Sequence, residues 1–157
     1  MTSDGESMEM RELDESLVCN LLNEVVQYEM AGVVRYAHSS LMVSGPYRIP
    51  IVQFLQEQAT ESLAHALQAG ELITGFNGHP TQSIAPIVEN HNHSVIQILT
   101  ESLEHEMTAI RLYKKLLKEV EDASVMLEEY ARGQIGMEEQ HALEIRKMLK
   151  DYSSDGS

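Results

Sequence analysis

Two stretches of the sequence pair a carboxylate with an imidazole one helical turn away: Glu61-Ser-Leu-Ala-His65 and Glu138-Glu-Gln-His141. On a helix, spacings of three and four residues put both side chains on one face. Two more glutamates, Glu29 and Glu106, each open a Glu-Met run and are followed seven residues later by a tyrosine, Tyr36 and Tyr113. Carboxylates mixed with histidines suit iron or manganese better than the closed thiolate sites of structural zinc. The chemistry to look for is therefore that of a two-metal carboxylate–histidine centre.

Such a centre needs helices to carry it. Four helical stretches are readable, and no convincing strand. The first runs from about Leu13 to Val43 and stops at Ser44-Gly45-Pro46; the second runs from about Ile51 to Thr74 and stops at Gly75. Residues 75–92 hold two prolines and no helical period, which predicts a crossover from one end of a bundle to the other. The third helix begins near His93 or Ser94 and ends near Val120. The fourth follows a tight corner at residues 121–124, with Ser124 as candidate N-cap, and reaches about Tyr152. His65-Ala-Leu and His141-Ala-Leu repeat between the second and fourth helices as Glu-Met does between the first and third. The chain reads as two copies of one helical hairpin. The fold expected is an all-α four-helix bundle, one domain over residues 1–157 with an ordered core at about 13–152 and polar tails at 1–11 and 153–157.

The glutamates fall inside the apolar stripes. Glu29 shares a stripe with Val18, Leu22, Val25, Gly32, Tyr36 and Ser40; Glu106 lies among Leu99, Leu103, Ile110, Tyr113 and Leu117; Glu138 and His141 lie among Leu127, Ala131, Gln134, Ile145 and Leu149. Heights agree as well. Glu29 and Glu61 each stand sixteen residues from Gly45, and Glu106 and Glu138 each sixteen from Asp122. The expected inward set is Glu29, Glu61, His65, Glu106, Glu138 and His141. A buried carboxylate needs a counter-charge, and four carboxylates against two divalent cations sum to zero. Without metal these carboxylates are expected to hold protons above the usual value of about 4.3, so Glu138→Gln is expected to stabilise the metal-free protein. His105 is next to Glu106, about 100° further around the helix, and is expected to be exposed. His79, His91 and His93 read as solvated crossover residues.

Net charge is −14, which repels nucleic acid and anionic membrane and draws in cations. A single cysteine, Cys19, forms no internal disulfide and fits a reducing compartment. The acidic N-terminus is unlike a signal peptide, and no apolar run is long enough to span a membrane. The expected location is the cytoplasm. Neither a Gly-rich phosphate loop after a strand nor a nucleophile elbow is present.

The six inward residues resemble the di-iron site of ferritin-like carboxylate proteins, most of all bacterioferritin and its relatives, over roughly residues 13–150. The resemblance implies Glu29 and Glu106 as terminal ligands, Glu61 and Glu138 as bridges, His65 and His141 as one ligand to each metal, and Tyr36 as a catalytic neighbour of the site. It implies two iron ions per chain, with manganese as the alternative, and Fe(II) and oxygen or peroxide as reactants in a ferroxidase. A homo-oligomer, at least a dimer, is expected.

Departures from the pattern accompany it. The family's helix-two glutamate falls on Ser62, unless a π-bulge brings Glu61 inward. Leu63 stands where bacterioferritin has its haem methionine, so no haem is expected. The tail lacks the family's fifth helix, which leaves a storage shell without its usual support, and no cysteine pairs exist for a rubredoxin-type iron centre. The same ligands permit a di-metal peroxidase or a manganese catalase-like enzyme. A DNA-protecting shell and a helical interaction protein without metal are the remaining alternatives.

Overall fold

The computed structural model describes residues 11–150 and Tyr152, so most of both polar tails lies outside the described residues. It contains α1 (Glu15–Met42), α2 (Arg48–Gly75), α3 (Val95–Val120) and α4 (Val125–Lys150), with no strand among the described residues. Each start has a physical cause. Asp14 accepts from the Leu17 amide at 3.0 Å and Ser94 from the Gln97 amide at 3.2 Å. Ser124 caps α4 through the Leu127 amide at 3.2 Å, as its position in the sequence suggests. α2 starts three residues earlier than expected. Pro50 lies in its first turn, where a missing N–H is harmless, and so does not delay the helix.

α1 packs on α2, α3 on α4, and α1 on α3. Tyr36 meets Ser102 and Glu106, whereas Glu24 meets Lys115, so α1 and α3 are antiparallel. α2 is antiparallel to α1 by its short connection, so α2 and α3 point the same way. The chain from 76 to 94 must then travel the length of the bundle. It does so along α1: Thr81 N donates to Asn23 Oδ1 at 2.9 Å, Ala85 N to Gln27 O at 3.0 Å, and His93 packs edge-on against His38. Two left-handed residues, Asn77 and Asp122, and Gly45 turn the chain at the helix ends.

One core cluster fills one end of the bundle with Leu22, Val25, Ile73, Tyr113, Leu116 and Leu127. A second fills the other with Tyr36, Ile51, Leu55 and Ile98. Between them lies a polar layer, in which Glu29, Ser62, His65, His105, Glu106 and Glu138 are all buried. The apolar clusters thus seal a charged middle. No described helix is long and apolar enough to cross a membrane.

Leu116 is fully buried and Leu63 is 40% exposed. Leu116→Ala is expected to lower the unfolding free energy of the metal-free protein by about 2–5 kcal/mol, and Leu63→Ala by less than about 0.5 kcal/mol. Urea unfolding followed by circular dichroism checks both.

Candidate metal centre

Each predicted residue comes from the stripe that the spacing assigns, with one exception. Glu29 and Tyr36 project from α1, His65 from α2, Glu106 from α3, and Glu138 and His141 from α4, into the layer between the two cores. Two groups of donors converge there: Glu29, His65 and Glu138, and Glu106, Glu138 and His141, with the donor atoms of each group within 4.8 Å of one another. Glu138 belongs to both. Its Oε1 lies 3.1 Å from His65 Nδ1 and its Oε2 lies 3.5 Å from His141 Nδ1. Glu29 Oε2 and Glu106 Oε2 stand 3.8 Å from the same two nitrogens, respectively. Tyr36 donates to Glu106 Oε1 at 2.6 Å, which fixes that carboxylate and turns its other oxygen toward His141.

The donor set fits a pair of cations on one further observation. His65 Nδ1 and His141 Nδ1 are buried and have no hydrogen-bond partner, although carboxylate oxygens surround both. Buried polar atoms are rarely left so. Imidazole nitrogens and carboxylates that face one another without hydrogen-bond alignment leave a space between them that would suit a metal ion in place of the imidazole protons.

The exception is Glu61. α2 is a regular α-helix from Arg48 to Gly75, with no π-bulge, so Ser62 is buried and the Glu61 side chain is 35% exposed. Glu61 Oε2 lies 3.1 Å from His141 Nε2, the nitrogen on the far side of that ring. A carboxylate in that place supports a histidine from behind and fixes which ring nitrogen faces inward. Spacing alone did not separate the two possibilities, because Glu61 and Ser62 are adjacent and both lie near the inward face.

The electrostatics differ from the expectation of uniformly protonated carboxylates. Burial would lower His65, but Glu138 and Glu29 outweigh it and hold its pKa at about 9. Glu138 raises His141 in the same way, against burial. In turn Glu138 is held below the usual carboxylate range, because His141 and His65 overcome the effect of burial. Glu29 does follow the expectation, pushed up by burial despite His65. In the metal-free protein the histidines act as the counter-charges. Because Glu138 is paired with two imidazoles here, Glu138→Gln is expected to destabilise the metal-free protein, where charge clustering in the sequence suggests the opposite; urea unfolding of the variant decides between them.

His105 is also corrected: it is buried, not exposed. Its ring stacks on Tyr28 at 4.5 Å and meets Tyr36 edge-on at 5.3 Å, and Arg35 Nη1 lies 3.4 Å from its Nδ1. Burial and Arg35 lower its pKa to about 4, so the ring is neutral. It fits because α1 has Gly32 opposite. A Cβ there would stand 2.5 Å from His105 Cε1, 2.6 Å from Nε2 and 3.1 Å from Ser62 Oγ. The buried face of α3 is centred between the expected stripe and its neighbours, so Ser102, His105 and Leu116 are buried while Leu103 and Leu117 are only half-buried. A mid-helix glycine in the core stripe was the available signal, since it marks a close approach. Outside this layer, a cavity of about 780 Å³ under the crossover reaches inward to Tyr36, Ser102 and His105. His79 and His91 are exposed and His93 is half-buried.

A raised histidine pKa contributes stability that is complete below the unfolded value of 6.5 and lost as pH rises through the folded value of about 9. The melting temperature of metal-free protein is expected to fall between those pH values, and His65→Gln to flatten that fall. Metal competes with the same proton, so metal affinity is expected to rise across the window, with proton release on binding. Scanning calorimetry and metal titration at several pH values check these outcomes.

With this geometry in place, comparison with known proteins is direct. The profile of the ferritin-like domain family matches residues 19–154. A ferritin-like di-iron-carboxylate protein from Bacillus anthracis str. Ames superposes with TM-score 0.82 at 23% identity, covering 89% of this chain and 100% of that one. The bacterioferritin-related protein of Bacteroides fragilis, described as a dodecameric thioferritin, gives 0.84 at 19%, covering 91% and 90%. Desulfovibrio desulfuricans bacterioferritin gives 0.79 at 18%, covering 87% and 82%. Comparison with curated protein sequences returns no match. At these identities the structural likeness speaks for the fold, and the profile match over most of the chain speaks for descent: the chain belongs to the ferritin-like domain family.

Proposed function

We propose that this chain, one ferritin-like domain, binds two iron ions and oxidises Fe(II) with oxygen or peroxide in the cytoplasm. The observation that supports it best is the pair of donor groups sharing Glu138, with an unpartnered Nδ1 in each. Glu29 and His65 would hold one ion, Glu106 and His141 the other, and Glu138 would bridge them. Bound iron would supply the electrons that reduce the oxidant. Tyr36 keeps the Glu106 carboxylate turned toward its ion and stands beside the site as the catalytic tyrosine. Glu61, offered by the sequence as a second bridge, takes the supporting place behind His141 in this proposal. Leu63 supplies no thioether where a haem methionine would stand, and haem has no part in the proposal.

Manganese suits the same donors, and a di-metal peroxidase or catalase-like reaction is the nearest rival. The assembly proposed is a homo-oligomer, at least a dimer. Leu63 and Leu67, 40% and 62% exposed on the outer face of α2, are the apolar surface that supports it.

Anaerobic titration is expected to show about two Fe(II) per chain, and mixing with oxygen or hydrogen peroxide to give ferric absorbance. Tyr36→Phe should keep the stoichiometry and slow oxidation about 100-fold, at the low end of the range of general acid–base contributions. Glu61→Ala should weaken binding about 10–100-fold without abolishing it, as loss of a supporting carboxylate does. A single iron per chain, or none, overturns the proposal; two irons that react with peroxide alone move it to the peroxidase reading.

A further inference from the structure

The crossover histidines have no part in the centre at Glu138, yet one of them meets a second imidazole. His93 faces His38 of α1 with ring centroids 5.7 Å apart and ring planes at 67°. Both rings line the cavity under the crossover, together with Glu89, Asn90 and Glu101. Zn(II) sits about 2.0–2.1 Å from an imidazole nitrogen, so two rings sharing one tetrahedral ion hold their centroids about 5 Å apart. A small rotation closes the observed separation to that. His38 is exposed and His93 half-buried, so no packed core locks either ring. A third donor is at hand. Glu101 already accepts from Asn90 and from Gln97 Nε2, the latter at 3.0 Å. Glu89 is exposed on the crossover, four residues before His93, and lines the same cavity.

The pair stands where the crossover backbone has let go of α1. Thr81 and Ala85 tie the earlier part to Asn23 and Gln27 through their amides. Beyond Ala85, no crossover amide bonds to α1 among the described residues; those of Asn92 and Ser94 turn back on Asn90 and Asn92. Side chains make the contacts there, His93 against His38 and Asn90 on Glu101. This stretch covers the cavity that reaches inward to Tyr36, Ser102 and His105.

We propose that His38, His93 and Glu89 bind one divalent cation of the zinc class, with water in the fourth position, and that the ion clamps the later part of the crossover onto α1. The net charge of −14 favours a cation at this rim. Imidazole suits zinc, and Fe(II) stands below zinc in the usual order of divalent affinities. The clamp is separate from the centre at Glu138 and does not depend on it.

Zn(II) is the probe, added to the metal-free full chain in a calorimetric titration. Wild-type protein is expected to bind one zinc more per chain than either His38→Gln or His93→Gln. That difference holds whether or not the centre at Glu138 fills, so failure of the clamp and failure of the two-metal reading are told apart. Glu89→Gln is expected to keep the site with a higher Kd, and unchanged affinity there contradicts its place among the ligands. Equal zinc counts in wild type and both histidine variants overturn the proposal. Loss of zinc in only one of the two variants overturns the clamp, because the ion would then not join the crossover to α1. Hydrogen exchange of the wild type reads the consequence without any substitution. Zinc is expected to slow the amides of residues 87–93. Unchanged exchange there at saturating zinc overturns the proposal, as does slowing that persists in His38→Gln.

Discussion

The interaction on which the rest of this structure depends is the contact between Glu138 and two imidazoles. A carboxylate at 2% exposure in the middle of a helical bundle is untenable without counter-charge. Here one oxygen faces His65 and the other His141, so a residue of α4 ties α2 to its own helix through charge. The two apolar cores above and below shut most water away from the inner carboxylates, which are 2–3% exposed. That exclusion strengthens the charge interactions and raises the penalty for leaving any of these groups unpaired. Protons on the histidines meet the requirement in the metal-free chain. Divalent ions would meet it by displacing them, so the arrangement that stabilises the fold also serves metal binding.

Much of this was legible in the sequence because helical periodicity fixes faces and turn positions fix heights. Glu29, Glu106 and Glu138 sit in stripes whose other members are apolar. Their equal distances from Gly45 and Asp122 correctly place them in one layer. The crossover was legible from its prolines and its length. What the periodicity did not resolve is a difference of one residue. A core face on a helix is wide enough to take in neighbours on either side of the stripe centre. Packing of α1 against α3, opened by Gly32, rotates His105 inside where a narrow stripe leaves it out. Packing of α2 does the same in choosing Ser62 over Glu61.

These two adjustments are linked in space. Ser62 removes side-chain volume and charge from the centre, and His105 fills part of the volume with a neutral ring beside Gly32. The layer is thus less symmetric than the internal repeat of the sequence implies. One half keeps a supporting carboxylate behind its histidine, at Glu61 and His141, while the other half has Tyr28, Arg35 and His105 alongside. A duplicated hairpin can diverge this way because each half needs the other only for the shared carboxylate and the shared core.

The central claim is that two ions sit on either side of Glu138. Anomalous diffraction at the iron edge, from crystals soaked anaerobically in Fe(II), tests it most directly. The account predicts two peaks per chain, one among Glu29, His65 and Glu138 and one among Glu106, Glu138 and His141, with Glu61 touching neither. A single peak, or iron bound only beneath the crossover near His38 and His93, would contradict it.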